Sequence, residues 1–409
     1  MDYHLHTLSS GIRLVFYPIK SQVAHVGVMS LAGTRFDPDD KAGLAHFLEH
    51  SIFKGTERRK PFHILNRVDS IGGELNAYTT KEEIVLYASF PKEFINRSLE
   101  LLNDISFNSI YPEKEIEKEK DIVIDEINSY LDSPSEYIFD EFEDTLFEGH
   151  PLGKNILGTS ESVTNIKRSD LLHFVENRFI PENMVVSIVG DYKWNDLIRK
   201  CEKYIVPKFH SKSDLNFDDS FQRESFIKKT NRANYQSHIM IGTQAYNIHD
   251  SKRRGLILLN NMLGGPSLNS RLVLNIREKF GFTYNIESNY TPYSDLGMMN
   301  IYAGTDKKYM NKTIKLIEKE LKIFREKKLT PHQLERAKIQ LKGNITLSEE
   351  NNLNQMLALG KSVLFNLDIE SLETVFQAID DITPEQMLEI ANEVFDPNSL
   401  NYLIYEVED

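Results

Sequence analysis

Apolar and polar side chains that alternate every second residue predict half-buried strands, first in His25-Val26-Gly27-Val28-Met29-Ser30-Leu31. The second half of the chain has a counterpart in His238-Ile239-Met240-Ile241-Gly242, and strands are also expected over residues 184–189 and 400–405. Residues 112–130 follow a different rule. There Ile116, Ile122, Val123, Ile124 and Ile127 are scattered among many charges, as on one long helix with a solvated face.

The two halves repeat one another. Setting Gly43 against Gly255 and Pro112 against Pro331 brings similar strand-turn-helix patterns into line. The polar stretch that opens at Pro207-Lys208-Phe209-His210 reads as a connection between the copies. The expected organisation is therefore an N-terminal domain over residues 1–207, a linker over 208–228 and a C-terminal domain over 229–409. Strands mixed with longer helices argue for an α+β fold of two homologous domains, each a largely antiparallel sheet packed with helices.

Composition agrees with this and narrows the function. The 409 residues are too many for one ordinary core, and 40% hydrophobic content is enough for two. A net charge of −13 with no basic cluster argues against nucleic-acid binding. No apolar run is long enough to span a bilayer, and the N-terminus lacks the basic-then-apolar pattern of a signal peptide. A single cysteine, Cys201, excludes both an intrachain disulfide and a thiolate metal cage. Cytoplasm is the default location. No Gly-rich Walker loop is present, since Gly264-Gly265 lacks the following Gly-Lys-Ser/Thr.

The chemistry lies in Ala45-His46-Phe47-Leu48-Glu49-His50. Histidines at i and i+4 share one helix face, so two imidazoles can hold one metal ion. Glu49 stands between them, placed to activate water. The order His-x-x-Glu-His is the inverted metallopeptidase signature. A catalytic zinc usually takes a third protein ligand. Glu119 and Glu126, two turns apart on the 112–130 helix, are both candidates.

His46-x-x-Glu49-His50, followed by Glu126 76 positions beyond His50, resembles the pitrilysin, insulin-degrading enzyme and mitochondrial processing peptidase family. The likeness extends through Gly33-Thr34-Arg35-Phe36, Gly43-Leu44-Ala45, Phe53-Lys54-Gly55-Thr56 and Gly72-Gly73-Glu74-Leu75-Asn76-Ala77-Tyr78-Thr79. It continues in His150-Pro151-Leu152-Gly153, Asn183-Met184-Val185-Val186 and Gly190-Asp191. It implies two related domains in the short form of the family, one Zn2+ per chain held by His46, His50 and Glu126, and Glu49 as general base. Glu119 is then a group that orients ligands or water. Asn76 and Ala77 match the edge strand on which substrate backbone pairs.

In the second half, Arg277 and Tyr284 resemble the family's substrate-approaching pair; as structure alone they would be a helix-surface cation and a half-buried strand residue. Leu258, Asn261 and Met262 fall opposite His46, Glu49 and His50, while Lys338 and Ile345 fall opposite Glu119 and Glu126, so the second copy keeps no metal ligands. The resemblance implies a zinc endopeptidase acting on peptides or unfolded segments inside a chamber made by chain pairing. It implies a homodimer, with a heterodimer with a related metal-free chain as the rival. A noncatalytic subunit is one alternative, and retention of all three ligand positions and Glu49 argues against it; a regulatory peptide binder that cuts slowly is another, and a peptide that binds but is never cleaved would discriminate.

Overall fold

The computed structural model describes residues 3–213, 215, 217, 220–233 and 235–408. The linker expected over 208–228 includes Asp214, Asn216, Asp218 and Asp219, which lie outside the described residues, and its last two positions belong to a strand, Ile227–Arg232.

Two compact units emerge, each built on one sheet. The first sheet contains β1 (His4–Thr7), β2 (Arg13–Pro18), β3 (Val23–Ser30), β4 (Glu74–Thr79), β5 (Ile84–Pro91) and β6 (Met184–Gly190), in the order β1-β2-β6-β3-β5-β4. The second contains β7 (Ile227–Arg232), β8 (Ser237–Ala245), β9 (Thr283–Pro292), β10 (Gly297–Thr305) and β11 (Asn401–Val407), in the order β7-β11-β8-β10-β9. Among the described residues β2 with β6 and β7 with β11 pair in parallel, and the other pairings are antiparallel. The α+β architecture of two like domains is thus present, and the long helix expected over 112–130 spans Glu113–Leu131.

Strand alternation sends successive side chains to opposite faces, so each sheet needs cover on both. On β3, Ala24, Val26 and Val28 enter the main core of the first unit. Helices Leu44–Ile52, Ile95–Phe107 and Glu113–Leu131 contribute to the same core. The opposite face, with Gly27 and Met29, receives helix Asn352–Leu364, which comes from the second half of the chain. Close approach explains the glycines. A Cβ on Gly27 would stand 2.7 Å from the Met356 sulfur, and one on Gly360 would stand 2.4 Å from the Met29 sulfur. Ser187 Oγ donates to the Met356 carbonyl at 2.6 Å, and Arg13 Nη1 donates to the Val363 carbonyl at 2.6 Å, tying the helix down at both ends.

The second unit is built the same way. Ile239 and Ile241 of β8 face one core, while Met240 faces another formed with Ile138, Phe142 and Leu146 of helix Pro134–Leu146, from the first half. Here Gly242 is the strand glycine, and a Cβ on it would meet the Phe142 ring at 2.9 Å. Each half of the chain therefore gives one helix to the other's sheet: the units comprise 1–129, 154–216 and 348–370, and 130–153, 217–347 and 371–409. No helix among the described residues is long and apolar enough to cross a membrane.

Candidate metal centre

Helix Leu44–Ile52 begins at Gly43, whose φ of +88° favours a residue without Cβ; a Cβ there would also lie 2.6 Å from the Leu157 carbonyl oxygen. One buried carboxylate caps the helix start. Asp37 Oδ2 accepts from the Gly43 and Leu44 N–H groups at 2.8 and 3.1 Å, and Oδ1 accepts from Ala45 N–H at 3.0 Å. The Leu44 N–H also reaches the Lys41 carbonyl at 3.1 Å, so it is the Gly43 and Ala45 amides that depend on Asp37. Leu44, Ala45, Phe47, Leu48 and Ile52 turn into the core, which rotates His46, Glu49 and His50 together onto the remaining face.

Helix Glu113–Leu131 buries Ile116, Glu119, Val123 and Ile127, a stripe at helical spacing with one carboxylate in it. Two turns past Glu119, Glu126 reaches the histidines. Its Oε1 lies 3.9 Å from His46 Nε2 and its Oε2 3.5 Å from His50 Nε2, while the two imidazole centroids are 4.7 Å apart. Ligands about 2.0 Å from a tetrahedral ion stand about 3.3 Å from each other, so small side-chain adjustments suffice. Among the described residues, His46, His50 and Glu126 are the one group of three or more such side chains whose ligand atoms converge.

The protonation states suit a cation. Burial, with His50 adding to it, pushes the His46 imidazole down to about 3, so it is neutral with a lone pair to give. Burial also acts to lower His50, but the Glu119 hydrogen bond and the Glu126, Glu119 and Glu49 charges outweigh it and raise its pKa. Glu119 Oε1 lies 3.0 Å from His50 Nδ1, and Lys54 Nζ lies 2.6 Å from Glu119 Oε2. Burial opposes ionisation of Glu119, yet the His50 and Lys54 hydrogen bonds prevail and lower its pKa. His46 is thus a ready neutral ligand, while His50, with its raised pKa, gives up its proton as a cation binds; with the Glu126 carboxylate they make a donor set that fits a zinc-like divalent ion.

Glu49 sits outside this triad of ligands. Burial raises its carboxyl above the ordinary range, against a 2.8 Å hydrogen bond from Thr79 Oγ1 to Glu49 Oε2. Thr79 ends β4, which among the described residues is the edge of its sheet and pairs with β5 alone, Asn76 opposite Tyr87 and Ala77 opposite Leu86. Asn76 is exposed, and its Oδ1 accepts from the Ala77 N–H at 3.0 Å.

Arg277 and Tyr284 are carried by the second unit. Arg277 lies in the π-helical turn Val273–Glu278, exposed and 3.6 Å from Glu278. Tyr284 stands on β9, 82% exposed, a solvent-facing rather than half-buried side chain. In the same unit, Leu258 and Asn261 are buried, Asn344 Nδ2 donates to Asn261 Oδ1 at 3.3 Å, and Lys338 Nζ donates to the Asp380 carbonyl at 2.7 Å. Apolar, amide and lysine side chains therefore stand at the positions that the expected repeat sets against the metal-site residues. Asp37, Lys54 and Thr79 are the supporting residues that pattern reading leaves unassigned. Lys54 and Thr79 lie within the quoted family segments, but Asp37 is too far ahead of its helix to register as an N-cap.

Comparison with known proteins gives the family. The family model for insulinase, peptidase family M16, matches residues 17–160, and that for the peptidase M16 inactive domain matches residues 165–341. A Bacillus subtilis protein named uncharacterized zinc protease YmxG is 30% identical over 393 residues, covering 95% of each chain. The chain belongs to peptidase family M16. An uncharacterized zinc protease of Rickettsia bellii is 29% identical over 98% of this M16 chain and 97% of its own. The fold is shared with the peptidase M16 inactive domain structure from Pseudomonas fluorescens (TM-score 0.93, 18% identity, 100% and 98% of the two chains). It is also shared with a protease from Helicobacter pylori (TM-score 0.91, 20% identity, 99% of each chain).

Proposed function

We propose that this M16 chain is a zinc endopeptidase of the His-x-x-Glu-His type that hydrolyses peptides or unfolded polypeptide segments. The observation that carries the reading is the convergence of His46, His50 and Glu126 beside a Glu49 carboxylate left free of the ligand set. Zinc, when bound by these three side chains, supplies Lewis acidity that polarises a scissile carbonyl and acidifies water. Glu49 takes the proton from the attacking water and passes it to the leaving amine. Its raised pKa suits a group that must hold a proton part-way through the reaction, and the Thr79 hydroxyl keeps the ionised form accessible. Glu119 keeps His50 in the tautomer that presents Nε2.

An extended peptide adds as a strand to the free edge of β4. The Asn76 side chain covers the Ala77 N–H there, and substrate backbone takes its place. Arg277 anchors a substrate carbonyl or carboxylate, and Tyr284 donates to the developing oxyanion. The exposure of both residues supports recruitment from a second copy, in a homodimer whose paired chains enclose the substrate. Residues 1–207 and 229–409, joined through 208–228, are taken as the two ancestral copies, of which only the first keeps ligands. A cytoplasmic setting belongs to the same reading, supported by one cysteine, buried and unpaired.

Chelation tests the reading. Peptide hydrolysis should disappear with the metal removed and return on adding Zn2+; hydrolysis that persists in the metal-free protein would overturn it.

A further inference from the structure

His50 and Lys54 end on opposite oxygens of one carboxylate. Glu119 Oε1 is 3.0 Å from His50 Nδ1 and Glu119 Oε2 is 2.6 Å from Lys54 Nζ. The Glu119 side chain is only 5% exposed, so both oxygens need partners from the protein. Lys54 lies just beyond the histidine helix, where its own N–H donates to the Ser51 carbonyl at 3.1 Å. Glu119 lies on the helix that carries Glu126, seven residues and two turns earlier.

We propose that Lys54 is a positioning residue of the metal centre. By holding Glu119 Oε2 it stops rotation of the carboxylate, so that Oε1 stays on His50 Nδ1 and the His50 Nε2 lone pair faces Glu126. A carboxylate gripped on one oxygen alone would be free to turn about its terminal torsion, and the imidazole would turn with it. Gripped on both, it sets ring orientation and tautomer together. The same contact joins the helix supplying two ligands to the helix supplying the third. This differs from an ordinary surface ion pair because one member is buried and already committed to a ligand. The inference rests on the metal reading above.

Zinc affinity, measured by competition with a chromophoric chelator, tests it in wild type, Lys54→Met, Lys54→Ala, Lys54→Arg, Glu119→Gln and the Lys54→Met/Glu119→Gln double variant. Thermal unfolding confirms that each is folded, and Lys54→Ala replaces Lys54→Met if the latter is not. Loss of Lys54 should weaken zinc binding about 10-fold, the lower end of the range for residues behind a metal ligand. Lys54→Arg should recover most of it, and the double variant should bind no more weakly than Glu119→Gln alone, because Lys54 acts only through Glu119. Unchanged affinity in folded Lys54→Met or Lys54→Ala overturns the proposal, as does a double variant whose loss is the product of the two single losses. Wild type that binds no zinc sinks the metal reading itself, and Lys54's role with it.

Discussion

The Thr79 hydroxyl donates a 2.8 Å hydrogen bond to the Glu49 carboxylate, and so joins the last residue of an edge strand to the helix face that carries both histidines. Strand β4 and the metal helix are thereby held in fixed relation by a side chain that touches no ligand.

Thr79→Val removes the donor while keeping the shape. The bond favours ionised Glu49, so its loss raises an already elevated pKa and a higher pH is needed to form the base. The acidic limb of the kcat/KM profile should move to higher pH, with a rate loss of about tenfold near neutrality and unchanged zinc content. A profile that superimposes on wild type would remove Thr79 from the account.

Removing a ligand differs from removing a supporter. His50→Ala and Glu126→Ala should both lose stoichiometric zinc, measured by metal analysis after dialysis. Glu119→Gln should still bind it, about 10- to 100-fold more weakly. A zinc-loaded, active Glu126→Ala protein would mean that the third ligand lies elsewhere.

Asp37 carries a structural prediction. Its carboxylate covers three amides at the start of the metal helix, and its truncation to alanine leaves buried donors. Asp37→Ala should lower metal-free unfolding free energy by about 1–3 kcal/mol in denaturant titration. Asparagine at the same position should recover part of that loss through its side-chain oxygen.

Chain pairing is tested by complementation. Glu49→Gln chains mixed with Tyr284→Phe chains should regain activity, since mixed dimers contain one site with both groups intact. Absence of rescue in verified mixed dimers would count against shared sites.

Local spacing encodes some of this structure, and contacts made across the fold encode the rest. His46, Glu49 and His50 declare themselves because helical spacing fixes which side chains share a face, and residues within one helix need no tertiary information. Glu126 is different. The 113–131 helix holds many acidic residues; spacing leaves Glu119 and Glu126 equal, the family resemblance favours Glu126, and the fold turns Glu119 into the core while Glu126 meets the histidines. The exchange of helices between halves was not legible. Ile138, Phe142 and Leu146 make an apolar stripe that would fit either sheet, because periodicity records that a helix buries a face but not against what. Gly27 and Gly242 pack against Met356 and Phe142, partners 329 and 100 residues away that no local pattern names. Lys54 and Thr79 belong to residue types common on any surface, and their roles arise from single contacts made across the fold.

The central claim is that Glu49 is the base beside a metal held by His46, His50 and Glu126. It is tested most directly by zinc-loaded wild type and zinc-loaded Glu49→Gln on a quenched fluorescent peptide library. Wild type should cleave, and Glu49→Gln should lose at least about a thousandfold at equal zinc content. Comparable cleavage by both proteins, each with one zinc per chain, would contradict it.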